Sequence, residues 1–144
     1  MKLGLICNLK RKQFLEVCIQ SPMNPYFVLK QFIGDYWNCD MDWEQMNSGD
    51  FLIKNIEKAV EKAESSIVKW VDYNFSPQGY TYLAVLSNSS VSLHTWPEES
   101  FISVEIFTCT EDSNPEAGLQ YLAEIFKPKE FKIHQVKRDI SASK

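Results

Sequence analysis

Short apolar and β-branched runs, separated by closely spaced turns, occupy the middle of the sequence. Four such runs lie at residues 67–73, 80–86, 91–95 and 101–109. Ser-Pro-Gln-Gly at 76–79 and the segment around Pro97 are typical of turns, because proline and glycine supply the backbone angles that a chain reversal needs. The pattern therefore predicts several short strands joined by tight connections.

An amphipathic helix is predicted on each side of these strands. The first is capped by Asp50 and carries apolar residues at three- and four-residue spacings as far as Ala63. The second starts with an N-cap, Asn114, followed by Pro115 at the first helical position, and it continues to Phe126. Both helices are expected to bury one face against the strands.

Two further strands are predicted at 26–33 and 131–136, with a polar connection at 38–49. The sequence has no glycine-rich turn of the kind that links a parallel strand to a helix. We therefore expect an α+β fold, a two-layer sandwich in which a mainly antiparallel sheet carries the helices on one face. A homodimer that stacks two such sheets would cover the other face.

Length, charge and cysteine spacing narrow the classes of function. The 144 residues suit one domain, placed at 26–144, after an N-terminal extension at 1–25 that is expected to be poorly ordered. A net charge of -4 with scattered basic residues argues against a nucleic-acid partner. No apolar run approaches the roughly 20 residues that span a bilayer, so we expect a cytoplasmic protein without membrane attachment. Four widely spaced cysteines are expected as reduced thiols.

Four chemically distinct side chains fall close together in the sequence. They are the hydroxyl of Ser89, the imidazole of His94, the carboxylate of Glu98 and the thiol of Cys109. Each alone has an ordinary interpretation, as a turn serine, a hydrogen-bonded histidine, a solvated carboxylate or a buried cysteine. Together they are expected to converge on one pocket of a hairpin.

Several segments resemble one enzyme family. His-Thr-Trp-Pro-Glu at 94–98 and Phe-Thr-Cys at 107–109 resemble the signature of the bacterial and archaeal S-adenosylmethionine decarboxylases. Phe-Ser-Pro-Gln-Gly at 75–79 is similar to that family's Phe-x-Pro-x-Gly turn, and the predicted helix at 114–126 resembles its C-terminal helix. The resemblance extends over residues 26–138.

This resemblance implies a self-processing enzyme. Cleavage between Asn88 and Ser89 would leave a β chain of residues 1–88 and an α chain of residues 89–144. Ser89 would become a pyruvoyl group that forms a Schiff base with the substrate, so neither a metal nor pyridoxal phosphate is expected. The implied substrate is S-adenosylmethionine, whose decarboxylated product donates aminopropyl groups for spermidine biosynthesis.

The resemblance also implies roles for five other residues. His94 and the Thr81 hydroxyl would assist the cleavage, and Cys109 would protonate the product carbon. Phe75 would stack on adenine, and Glu98 would accept the ribose hydroxyls. An aromatic face also suits a sulfonium cation.

The chain departs from the family pattern at the cleavage site. It reads Asn88-Ser89-Ser90 where the family reads Glu-Ser-His, and Tyr82 and Ser100 stand where the family has glycine. Two alternatives therefore stay open. One is a pyruvoyl-dependent arginine or ornithine decarboxylase on the same scaffold, and the other is an uncleaved, non-catalytic paralogue that acts as a binding or regulatory subunit.

Overall fold

The computed structural model describes residues 28–138, and the predicted extension at 1–25 lies outside them. The described part contains six strands, three helices and one 3-10 turn. The strands are β1 (Lys30–Cys39), β2 (Ile67–Asn74), β3 (Tyr80–Leu86), β4 (Ser89–Trp96), β5 (Phe101–Thr108) and β6 (Pro128–Val136). The helices are α1 (Trp43–Asn47), α2 (Gly49–Lys62) and α3 (Pro115–Phe126), and the 3-10 turn is Pro97–Glu99. Within residues 28–138, none of the helices has the length and apolar character to cross a membrane.

All six strands form one antiparallel sheet in the order β2-β3-β4-β5-β1-β6. Helices α2 and α3 pack against each other and cover one face, which we call the inner face. The opposite face, which no described helix covers, is the outer face. The predicted two-layer α+β fold is therefore confirmed.

Successive side chains of each strand point alternately to the inner and the outer face of the sheet. In β3 the inner residues Tyr80, Tyr82 and Leu86 are buried, whereas Leu83 and Val85 point to the outer face and are exposed. The same alternation runs through β4 and β5. The residues that form the core are thus set by strand register, since a one-residue slip would exchange the two faces.

Both long helices form where the sequence predicts them, but one cap differs. Ser48, and not Asp50, caps α2, because its hydroxyl accepts from the Phe51 N–H at 3.3 Å. Asp50 lies in the first turn, where a negative charge still favours the helix dipole. The predicted cap of α3 is confirmed, since Asn114 Oδ1 accepts from the Ala117 N–H at 3.2 Å.

The N-terminal part of the described chain departs most from the expectation. Residues 26 and 27 of the strand predicted at 26–33 lie outside the described residues. The observed strand runs at Lys30–Cys39, because β5 and β6 pair with it on both sides and carry it through polar residues. The connection predicted at 38–49 contains α1, which begins with a capping box between Asp42 and Gln45. The last strand also begins earlier than predicted, at Pro128.

Two residues at positions where the family has glycine behave differently. Ser100 has φ of 47°, in the left-handed region that glycine tolerates best. Tyr82 lies inside β3, fully buried, and its ring stacks on Trp70 with centroids 5.8 Å apart. The larger residue at position 82 has become part of the core.

Gly118 allows the close approach of α3 to α2. A Cβ at this position would lie 2.5 Å from the carbonyl oxygen of Ala59 and 3.0 Å from Ile106 Cδ1. Neither backbone nor core can move away cheaply, so the crossing of the two helices depends on the absent side chain.

We expect Gly118→Ala to lower the free energy of unfolding. Alanine gains about 1 kcal/mol in helix propensity, but overpacking a tight contact costs roughly 1–3 kcal/mol, and the contact with a backbone atom puts this site at the upper end. Thermal unfolding measures the change, with the exposed Gln120→Ala in the same helix as the control. A Gly118→Ala protein as stable as the wild type would contradict the close packing.

Candidate active site

The predicted cleavage site lies in the turn between β3 and β4. Ser89 is the first residue of β4 and stands opposite Leu86 on one side and Thr108 on the other. Cys109 follows directly after β5, and its backbone N–H donates to the carbonyl oxygen of Asn88 at 3.0 Å. The structure thus brings together the peptide bond between Asn88 and Ser89 and the residue that carries the half-buried thiol.

Ser89 has an unusual backbone conformation. Its φ of 149° lies in a region that residues with a side chain rarely adopt. Such an angle costs of the order of 1–3 kcal/mol and persists only where the surrounding structure holds it in place. Pairing with both neighbouring strands provides that restraint, so strain is stored at the peptide unit where cleavage is expected.

A second cluster lies at the other end of β4 and lines an open cleft with a volume of about 440 Å³. We call it the His94 cleft, and its walls include Phe75, Thr81, His94 and Glu98. Thr81 and His94 are directly opposite in β3 and β4, and Thr81 Oγ1 lies 2.9 Å from His94 Nδ1. The hydroxyl and the imidazole therefore form one hydrogen-bonded unit.

The substrate-contacting residues implied by the resemblance sit at the mouth of this cleft. Phe75 is 50% exposed, which leaves its ring available for stacking. Glu98 Oε2 accepts from Gln78 Nε2 at 2.8 Å, and Asn47 Oδ1 accepts from the Gly79 N–H at 2.8 Å. Gln78 and Asn47 were missed by the sequence analysis, because nothing in their local pattern shows which distant segment they contact.

The surroundings of His94 favour its neutral form. Burial lowers its pKa below 6.5, and the negative charge of Glu105 on β5 raises it by a smaller amount. A neutral imidazole can accept a proton from a nearby hydroxyl, which the protonated form cannot do. Glu105, which the sequence analysis did not select, thus adjusts the proton affinity of the histidine.

The two clusters do not meet within one chain. His94 follows Ser89 by five residues in an extended strand, so their Cα atoms are about 16 Å apart at 3.3 Å per residue. The expectation that all four chemical groups converge on one pocket of a single hairpin is therefore wrong. Ser89 and Cys109 share one end of the sheet, and His94 and Glu98 share the other.

Comparison with known proteins identifies the family. The family model described as S-adenosylmethionine decarboxylase matches residues 30–139, which cover the whole sheet and all three helices. The chain belongs to the S-adenosylmethionine decarboxylase family. This match confirms the resemblance drawn from the motifs.

Curated relatives in archaea and bacteria agree with the assignment. The S-adenosylmethionine decarboxylase proenzyme of Methanococcus aeolicus is 36% identical over 109 residues, which are 76% of this chain and 92% of the relative. The proenzyme of Synechococcus sp. WH7803 is 31% identical over 114 residues, 79% of this chain and 88% of the relative. The chain thus spans nearly the full length of both relatives.

Solved structures share the fold. The crystal structure of the adenosylmethionine decarboxylase from Aquifex aeolicus VF5 superposes with a TM-score of 0.71 at 24% identity, over 82% of this chain and 96% of that chain. A Trypanosoma brucei AdoMetDC monomer superposes with a TM-score of 0.53 at 17% identity, over 85% of this chain and 56% of that chain. At these identities the likeness establishes architecture alone.

Membership of this decarboxylase family makes the chain an enzyme that acts on S-adenosylmethionine in polyamine synthesis. The two alternatives that the sequence left open, an arginine or ornithine decarboxylase and an uncleaved paralogue, are not supported by these relatives.

We expect His94 to titrate with a midpoint below 6.5, because its charged form is desolvated. Glu105→Gln should move the midpoint to still lower pH, since it removes the negative charge that favours protonation. NMR titration of an uncut Ser89→Ala, His134→Asn chain measures this directly, because His94 is then the only histidine.

The control for this titration is Asp35→Asn, which removes another outer-face carboxylate that does not contribute to the His94 shift. It should leave the midpoint in place. A midpoint at or above 6.5, or an upward move in Glu105→Gln, would contradict the assigned electrostatics.

Proposed function

We propose that this chain is a proenzyme that cuts itself between Asn88 and Ser89 and then decarboxylates S-adenosylmethionine with a pyruvoyl group formed at residue 89. One observation carries the proposal. Ser89 holds a φ of 149° while the carbonyl before it accepts a hydrogen bond from the Cys109 N–H. A strained serine after a polarised carbonyl suits attack by its own hydroxyl.

Cleavage begins with an acyl shift. Ser89 Oγ gives up its proton and bonds to the carbonyl carbon of Asn88, and negative charge develops on the carbonyl oxygen. The Cys109 N–H, 3.0 Å from that oxygen, stabilises the charge as an oxyanion-hole donor does. The C–N bond then breaks, its nitrogen takes a proton, and an ester joins the two residues.

The ester is then eliminated. A base removes the Cα proton of residue 89, the Cβ–O bond breaks, and Asn88 leaves as a C-terminal carboxylate. The remaining enamine tautomerises to an imine, adds water and releases ammonia, which leaves a ketone at residue 89. No external oxidant or cofactor enters this balance.

Once formed, the pyruvoyl ketone supplies an electron sink for the decarboxylation. Cys109 follows β5 at the same end of the sheet as Ser89. Its thiol can deliver the proton that replaces CO₂. Phe75 offers a ring face to adenine or the sulfonium, and Glu98 offers a carboxylate to the ribose hydroxyls. We also propose a cytoplasmic location for the enzyme.

A homodimer would join the two halves of the site. Two outer faces stacked about a two-fold axis, with their β4 strands running in opposite directions, place the Ser89 end of one chain over the His94 end of the other. Stacked sheets lie about 10 Å apart, within reach of interdigitating side chains. Each of the two sites would then take Ser89 and Cys109 from one chain and the His94 cleft from its partner.

The chemistry of the outer face supports this partner. Val71, Leu83 and Val85 are 61%, 45% and 54% exposed and lie side by side on β2 and β3. Two carboxylates on the same face each accept a hydrogen bond, Asp35 from Ser103 at 2.7 Å and Glu105 from Gln31 at 2.9 Å. Burying this face against a second copy would remove its apolar surface from water.

Two substitutions separate cleavage from decarboxylation. Ser89→Ala lacks the nucleophile and should stay as one folded chain that releases no CO₂. Cys109→Ala retains the serine and should be cut, yet its decarboxylation should fall by about 10²–10⁴-fold, as expected when a general acid is lost. Denaturing gels measure cleavage, and release of labelled CO₂ measures activity.

The control for both variants is Ser90→Ala, which removes the adjacent hydroxyl and should still be cut. A Ser89→Ala chain that is cut, or that retains wild-type CO₂ release, would overturn the pyruvoyl mechanism in this protein.

The shared site predicts complementation between chains. Ser89→Ala and His94→Ala should each remain uncut or nearly so when expressed alone. Co-expressed with different tags, they form a hybrid in which the intact Ser89 of one chain meets the intact His94 of the other. Within this hybrid, the His94→Ala chain should be cut and the Ser89→Ala chain should stay uncut.

The matched control replaces Ser89→Ala by the double variant Ser89→Ala, His94→Ala, which offers no histidine and should leave its partner uncut. Hybrid dimers isolated by tandem affinity purification that contain only uncut chains would contradict the shared site.

A further inference from the structure

The side chain of Asn88 is held between two segments that are distant in the sequence. Asn88 Oδ1 accepts from the hydroxyl of Ser65, and Asn88 Nδ2 donates to Thr110 Oγ1 at 3.0 Å. We call these two contacts the Asn88 clamp. They lie 23 and 22 residues from Asn88 along the chain.

The backbone reinforces the clamp at the same place. The Ser87 N–H donates to the Ser66 carbonyl at 2.8 Å, and the Asn88 carbonyl accepts from the Cys109 N–H. The turn between β3 and β4 is therefore fixed by the segment after α2 on one side and the segment after β5 on the other. Rotation of the peptide unit before Ser89 would break the contact to Cys109.

An amide fits this pair of contacts. Its oxygen accepts and its nitrogen donates, so it joins two hydroxyls in a defined orientation, whereas a carboxylate only accepts. The amide is also neutral. A carboxylate beside the Asn88 carbonyl would oppose the negative charge that develops on that oxygen during the acyl shift.

We propose that Asn88 is a positioning residue for self-cleavage, with Ser65 and Thr110 as its two supports. The clamp holds the Asn88 carbonyl in the path of the Ser89 hydroxyl and prevents the strained φ of Ser89 from relaxing. Misplacement of a reacting group by about 1 Å can cost 10²-fold in rate, so modest contacts have a large effect here. The inference rests on the proposed self-cleavage.

The test is a time course of cleavage in freshly translated full-length chains. Asn88→Ala should slow cutting at least about tenfold, because both contacts are lost and the peptide unit is free to rotate. Ser65→Ala and Thr110→Val should each slow it several-fold, since each leaves one contact. Thr110→Ser keeps the hydroxyl and should restore the wild-type rate, and Ser66→Ala, next to Ser65, should leave the rate unchanged.

A second readout separates positioning from stability. The same substitutions in the uncut Ser89→Ala background should leave the thermal unfolding temperature close to that of Ser89→Ala itself, because the clamp lies near the surface. If the variants that are cut slowly also unfold at a clearly lower temperature than Ser89→Ala itself, the proposal is overturned. Asn88 would then stabilise the fold and would not position the peptide bond for cleavage.

A third readout shows which step of self-cleavage the clamp affects. Hydroxylamine cleaves esters, so it accelerates cutting only if the ester accumulates. We expect no acceleration in Asn88→Ala, because the clamp acts on the attack that forms the ester. Acceleration by hydroxylamine would overturn the assignment to that step.

The wild-type chain separates failure of the clamp from failure of the proposed function. If it is cut and Asn88→Ala is cut at the same rate, the clamp is wrong and the proposed function stands. If the wild-type chain remains uncut, the proposed function fails, and the clamp fails with it.

Discussion

The hydrogen bond from the Cys109 N–H to the Asn88 carbonyl joins the two stretches of chain on which the chemistry depends. It ties the β3–β4 turn to the end of β5, so the peptide bond before Ser89 and the thiol-bearing residue share one location. Because β4 is paired on both sides, the strained Ser89 cannot relax without loss of sheet hydrogen bonds. In the proposed mechanism this hydrogen bond first polarises the carbonyl and then helps to position the proton donor.

The two faces of the sheet differ in what they carry. The inner face buries the core beneath α2 and α3. It includes the fully buried Tyr82, whose hydroxyl has no hydrogen-bond partner among the described residues. The outer face keeps its apolar residues exposed and carries the hydrogen-bonded Thr81 and His94. The core residues on the inner face are thus separate from the residues proposed to act in the reaction, and the outer face is the one proposed to meet a second copy of the chain.

Local patterns predicted those elements whose determinants are themselves local. The apolar spacing of α2, the Asn114 cap of α3 and the alternation in β3 and β5 are readable within a few residues. The bounds of β1 are not, because its partners lie about 70 and 100 residues away and extend it through polar positions. Motifs indicated Ser89, His94 and Cys109 as site residues, but the distance between the first two follows from strand geometry, which no motif contains.

The contacts around Asn88 illustrate the same limit: Ser65 and Thr110 meet its amide only after the sheet has formed.

The proposed mechanism depends on one covalent event, the cleavage between Asn88 and Ser89. Intact-mass spectrometry of the wild-type protein under denaturing conditions tests this cleavage most directly. The mechanism predicts two fragments, one ending at Asn88 and one starting at residue 89 with a ketone in place of the amino group. A single chain with the full mass of all 144 residues would contradict it.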